Sequence, residues 1–241
     1  MESEKAFIEN LSRDDISVSY VFQKMFSAAG KLVAVECLTR LHASLTPLSP
    51  EHFFSFASIA VREAIIHEQL DLVEAHKDWF NERQIYVTIN LDSHTLTLLK
   101  DSAIIRRVKA TGCIHFEVNE HSCSLTDNSP LQSATAHALP LWLDDFGSGY
   151  AGLASIRRHH FDYIKIDKDI FWYLMGESQG KQLMHSLLSF LHCNNYKVVV
   201  EGIENEQHQR WLAGMPWFAL QGHYWKEVNI ATLTAEPATV D

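Results

Sequence analysis

Two strand-like runs, residues 17–27 and 31–41, are joined by only Ala28-Ala29-Gly30, and each later strand-like run is separated from the next by a helical stretch. Three residues cannot house a crossover helix, so the first two strands must pair antiparallel. The alternation that follows implies a parallel sheet, and this many repeats in 241 residues favours closure into a barrel. Pro50 and Glu51 open a helical segment predicted to reach Trp79. Strand 85–91, helix 93–109, strand 114–118 and a short helix 131–138 stopped by Pro140 follow. Strands 141–146 and 163–166 come next, then a helix capped by Ser178 whose buried face reads Leu183, Leu187, Phe190 and Leu191. Strand 197–200, helix 204–212 and a last strand ending at Gln221 complete the pattern. With no repeat, linker or low-complexity tract, the chain reads as a tail over 1–15 and one barrel domain over 16–228. A small, polar C-terminal tail over 229–241 is expected to be poorly ordered.

Hydrophobic residues at 46% and charged residues at 21% place the chain among ordinary globular proteins. A net charge of −10 argues against general nucleic-acid binding, which needs a basic surface. It leaves room for a small phosphorylated ligand held through cations, because the cations reverse the local field. Residues 1–15 lack the apolar core of an export leader, and no run of about 18 apolar residues would span a membrane. Cys37, Cys113, Cys123 and Cys193 show no C-x-x-C spacing. A reduced, cytoplasmic location is the expectation.

Functional groups of parallel barrels lie where strands run out at their C-terminal ends. Here those ends carry Glu36, Asn90, Glu117 with Glu120 beyond it, Asp144-Asp145, Lys165, Glu201 and Gln221. Glycines 147 and 149 follow the paired aspartates in a turn. Oxygen donors of this kind suit Mg²⁺ or Mn²⁺, whereas no Cys/His cluster is present to suit zinc.

The motifs also resemble, in order, those of the EAL-domain family of bacterial cyclic di-GMP phosphodiesterases. Glu36-Cys37-Leu38-Thr39-Arg40 is similar to E-A-L-x-R, Ile89-Asn90-Leu91 to V-N-L, and Glu117-Val118-Asn119-Glu120 to E-x-T-E. Residues 144–150 match D-D-F-G-[TS]-G-Y, Lys165-Ile166-Asp167 matches K-I-D, and residues 201–204 and 221–222 resemble E-G-V-E and Q-G-Y. Gln23 stands at the glutamine of Y-Q-P. The series runs from about residue 20 to residue 225.

The resemblance implies a modified (β/α)₈ TIM barrel with an antiparallel first strand, and two Mg²⁺ or Mn²⁺ ions. Glu36, Asn90, Glu117 and Asp144 would bind one ion. Asp144 would bridge to a second, held with Asp145 and, directly or through water, Glu201. Glu120 would brace the glycine loop, with Glu204 and Gln221 as supporting polar groups. Gln23, Leu38, Arg40 and Gln221 would line the ligand, Arg40 meeting a phosphate. The implied reaction is hydrolysis of cyclic di-GMP to linear 5′-pGpG by a metal-activated water, which Lys165 would orient or deprotonate. Pairing of family members through the barrel's helical rim makes a homodimer a further expectation. The rival reading is an inactive EAL-like module that binds cyclic di-GMP or a protein partner. Departures from the pattern are Cys37 for Ala, Asp92 for Ser, Phe218 for an acidic residue, and Lys226-Glu227-Val228 for S-K-P.

Overall fold

The structure, a computed structural model, describes residues 16–43, 49–119, 129–149 and 152–235. Eight strands close a barrel in sequence order: β1 (Ile16–Phe26), β2 (Leu32–Ala43), β3 (Tyr86–Leu91), β4 (Ile114–Asn119), β5 (Leu141–Phe146), β6 (Tyr163–Ile166), β7 (Lys197–Val200) and β8 (Ala219–Gln221). β1 runs antiparallel to both neighbours, and β2 through β8 are parallel. The three-residue link therefore has the consequence expected of it.

Side chains alternate across each strand, and the alternation sorts the barrel into an outer and an inner set. Outward positions such as Val35, Val87, Ile89, Phe116, Val118, Leu143, Ile164 and Val200 join helix residues in the main core. Burying each such side chain contributes roughly 1.5–3 kcal/mol. Inward positions near the starts of the parallel strands and the end of the antiparallel β1 form a second cluster of Met25, Ala34, Trp142, Tyr163, Val199 and Ala219. Trp142 stacks on Tyr163 with ring centroids 4.0 Å apart, and its indole N–H donates to His115 Nδ1 at 2.8 Å. Burial, with Lys197 nearby, pulls His115 down to about 3, so it stays neutral and can accept that bond. This plug closes one end of the barrel. Two residues further along each strand, on the same inward face, lie Glu36, Glu117, Asp144, Lys165, Glu201 and Gln221.

The helices are α1 (Pro50–Phe56), α2 (Ile59–Glu74), α3 (Lys77–Arg83), α4 (Ser102–Thr111), α5 (Ser129–Ala136), α6 (Leu153–Arg158), α7 (Lys168–Gly176), α8 (Gly180–Cys193), α9 (Glu206–Leu212) and α10 (Ile230–Ala235). Several differ from the sequence reading. The segment expected as one helix to Trp79 is three, because Ser58 accepts from Val61 N–H and starts α2 afresh. The helix expected over 93–109 is a 3₁₀ piece, Leu96–Lys100, followed by α4, which Asp101 caps. On α8 the buried face is Gly180, Met184, Leu188 and Leu191, while Leu183 and Phe190 are 57% and 51% exposed. The helix offers two adjacent apolar stripes, and Gly180 selects between them. A Cβ there would lie 1.7 Å from the Leu174 carbonyl oxygen, so only glycine lets α8 approach α7 this way round. Gln179, not Ser178, precedes α8, and it makes no side-chain cap. Within the stretch expected as a tail from residue 229, α10 buries Leu233 and packs on β1.

Candidate metal centre

The inward polar positions converge on Lys165. Its Nζ lies 2.9 Å from Glu117 Oε2, Asp144 Oδ1 and Glu201 Oε1, and 3.1 Å from Glu36 Oε2. Asn90 Nδ2 donates to Glu36 Oε1 and Gln221 Nε2 donates to Glu36 Oε2, each at 2.7 Å. Lys165 and Glu117 are fully buried, so the charges face one another across little water. Strands β2 through β8 and the plug beneath hold the cluster, which makes its geometry a property of the barrel rather than of loops.

Adjacent strand residues ordinarily point to opposite faces, so Asp144 and Asp145 should not share a site. The β5–β6 register shifts between Leu143 and Phe146, and Asp145 adopts φ +56°. That left-handed residue, which aspartate tolerates better than most side chains, turns the second carboxylate back toward the first. Ligand oxygens of Asp144, Asp145 and Glu201 consequently all lie within 4.8 Å of one another.

One ammonium stands among five carboxylates, and the protonation balance shows the mismatch. Burial opposes the charge on Lys165, but Asp144, Glu117, Glu201 and Glu36 hold it well above its ordinary value. Burial alone would raise Glu36, yet Lys165 and the Asn90 and Gln221 hydrogen bonds keep it low. Burial and the Glu36 charge push Glu117 well up; burial likewise raises Asp144. Asp145 is pushed up to about 7 by burial and by Asp144. Glu201 rises to about 8 because burial and the Asp144 and Glu36 charges outweigh Lys165. These shifts belong to the protein's own groups alone. Additional positive charge would relieve them, and the donors are all oxygen. Glu117 Oε1 and Gln221 Oε1 are buried without a hydrogen-bond partner, so acceptor capacity remains. The residues therefore fit hard divalent cations.

A cavity of about 430 Å³ opens beside the cluster, lined by Leu38, Arg40, Pro50, Phe54, Asn90 and Asp92 and by Asp144 and Asp145. Leu38 and Arg40 thus lie where a ligand would meet the carboxylates. Gln23 does not: it is buried, and its Nε2 donates to the Gly222 and Trp225 carbonyls. Gln221 braces Glu36 from within the cluster. Glu204 is exposed, and its backbone N–H donates to His208 Nδ1 at 3.4 Å. Glu120 lies outside the described residues, as does Tyr150. Cys37 is buried, and burial pushes its thiol up to about 12, so the cysteine in the signature is unreactive.

Two contacts escaped the sequence reading. The charge of Asp92 is met by Arg62, whose guanidinium also donates to the Phe54 and Ala57 carbonyls and so ties α1 to the end of β3. Glu227 pairs with Arg40 across the mouth of the barrel. Asp92 and Glu227 both depart from the family pattern, and that departure was the available signal; nothing marked Arg62.

The family model for the EAL domain matches residues 5–227. The chain is 32% identical over 210 residues to the cyclic di-GMP phosphodiesterase PdeH of Escherichia coli K12, covering 86% of this chain and 82% of that one. It is 25% identical over 180 residues to the anti-FlhC(2)FlhD(4) factor YdiV of Salmonella arizonae, covering 73% and 76%. Against other curated relatives the match spans between 28% and 40% of a longer chain. Among solved structures, the EAL-like domain protein YdiV superposes with a TM-score of 0.83 at 19% identity, covering 98% of this chain and all of that one. No helix among the described residues is long and apolar enough to cross a membrane.

Proposed function

The chain belongs to the EAL domain family, and from that premise we propose that it hydrolyses cyclic di-GMP to linear 5′-pGpG. The observation that carries the reading is the cluster itself: Lys165 among Glu36, Glu117, Asp144 and Glu201, beside a cavity that Arg40 and Leu38 line. Glu36, Asn90, Glu117 and Asp144 would hold one Mg²⁺ or Mn²⁺ ion, and Asp144, Asp145 and Glu201 a second. Bound there, the ions supply an activated water and neutralise charge on the phosphodiester.

The protein's own groups do the positioning. Arg40 receives a phosphate oxygen at the cavity wall, and Leu38 provides an apolar surface next to it. Lys165 orients the attacking water or takes its proton, according to how far bound cations relieve the carboxylate field around it. Gln221 and Asn90 fix the Glu36 carboxylate in one rotamer by bonding both its oxygens, which removes reorganisation from the reaction. No serine or cysteine nucleophile is required, and direct hydrolysis without a covalent intermediate follows. Two copies pairing through the helical rim remain part of the reading.

The likeness to YdiV, named as an anti-FlhC(2)FlhD(4) factor, favours a second reading in which the barrel acts by binding a protein partner. One assay separates the two. Purified protein is incubated with cyclic di-GMP and Mg²⁺ or Mn²⁺, and products are resolved by chromatography. Linear 5′-pGpG is expected, and Glu36→Ala should abolish it while the protein stays folded. No turnover with either metal would overturn the proposal and favour the binding module.

A further inference from the structure

We infer that Glu227 competes with a substrate phosphate for the Arg40 guanidinium and so weakens substrate binding. The inference rests on the reading of Arg40 as the phosphate-binding residue.

Glu36, Leu38 and Arg40 occupy alternate positions of β2 and so share its inward face, Arg40 standing at the mouth. Its Nη1 donates to the Thr39 carbonyl at 3.0 Å, and its Nη2 meets Glu227 Oε1. The Arg40 and Glu227 side chains are 34% and 26% exposed, open enough for a ligand to reach and too open for a permanently buried pair. Glu227 thus already occupies donor capacity that a phosphodiester oxygen would use.

The backbone that carries this carboxylate is anchored. Val228, the next residue, exchanges backbone hydrogen bonds with Phe22 on β1, at 2.7 and 3.2 Å. Trp225 packs on Phe26 with centroids 4.8 Å apart, and Gln23 bonds the carbonyls of Gly222 and Trp225. Gly222 lies against Ile203, where a Cβ would come within 2.1 Å of the carbonyl oxygen. A backbone anchored on both sides keeps the Glu227 carboxylate within reach of Arg40, so it competes for the guanidinium at every binding event. Gln23 then acts on the ligand indirectly, by holding the segment that carries Glu227.

The test is Glu227→Gln, which keeps shape and removes charge. KM for cyclic di-GMP should fall about two- to fivefold, the range commanded by a partly exposed ion pair. The affinity of the dinucleotide, read by calorimetry with Ca²⁺ in place of the working metal, should tighten by the same factor. The gain should vanish when Glu227→Gln is placed in an Arg40→Ala background, which a general relaxation of the 222–228 segment would not produce. An unchanged or raised KM, or a gain that persists without Arg40, overturns the inference while leaving the proposed activity intact. A wild-type protein that neither binds nor hydrolyses the dinucleotide overturns the proposed activity instead, and this inference with it.

Discussion

Replacing Lys165 by methionine keeps the side chain as far as its Cε and deletes the ammonium at the centre of the carboxylate cluster. Four acidic oxygens within 3.1 Å of Nζ then lose their partner in a place that water scarcely reaches. Removing one member of a buried pair typically costs about 3–5 kcal/mol. Glu117, already pushed well up, can take a proton and absorb part of that loss, so about 3 kcal/mol is expected near neutral pH. For a domain of this size each kcal/mol moves Tm by roughly 2–4 °C, which gives a drop of about 6–12 °C in EDTA. Two further readings separate this cause from a packing defect. Carboxyl groups raised in the native state hold protons that the unfolded chain has released, so stability falls as pH rises. Between pH 6.5 and 8 the variant should therefore lose stability faster than wild type, because its carboxyls are raised further once the ammonium is gone. Millimolar Mg²⁺ or Mn²⁺ should restore most of the lost Tm, since a cation can stand where the ammonium stood; at 100 times Kd the linkage amounts to about 2.7 kcal/mol. The assay is thermal unfolding followed by circular dichroism with EDTA or metal at three pH values. A Tm within 2 °C of wild type in EDTA, with no added pH slope, would refute the electrostatic account of the cluster. A drop that neither metal relieves would refute the assignment of these carboxylates as ligands.

Two other outcomes follow from the same structure. His115 titrates at about 3 in the plug against about 6.5 unfolded, so the unfolded chain gains a proton first as pH falls and stability is lost from 6.5 downward. His115→Gln, which can still accept from Trp142, should be less stable at pH 7.5, and the gap should close by about 1.4 kcal/mol per pH unit below 6.5 in urea titrations; a gap independent of pH contradicts this. Gly222→Ala forces a Cβ into the Ile203 backbone, which should cost about 1–3 kcal/mol and lower Tm; a wild-type Tm in that variant would show the close approach to be relaxed at no cost.

The chemical identity of the strand ends was legible in the residues themselves. A period of two places Glu36, Glu117, Asp144, Lys165, Glu201 and Gln221 each two positions beyond a small or aromatic inward residue, and alternating strands and helices leave a barrel as the natural closure. The antiparallel first strand was equally visible, because three residues allow no other return. Helix breaks and faces were not, since Ser58 and Asp101 act as caps only where the backbone leaves the helix, and Gly180 chooses between two apolar stripes only when α7 is beside it. The site's working arrangement belonged to tertiary structure as well. A strand pattern puts one of Asp144 and Asp145 inside, and it took the register shift and the positive φ of Asp145 to bring both to Glu201. Arg62 meeting Asp92 and Glu227 meeting Arg40 join residues 30 and 187 positions apart. Local pattern decides which face a side chain takes; which charges then meet depends on how the closed barrel brings distant strand ends together.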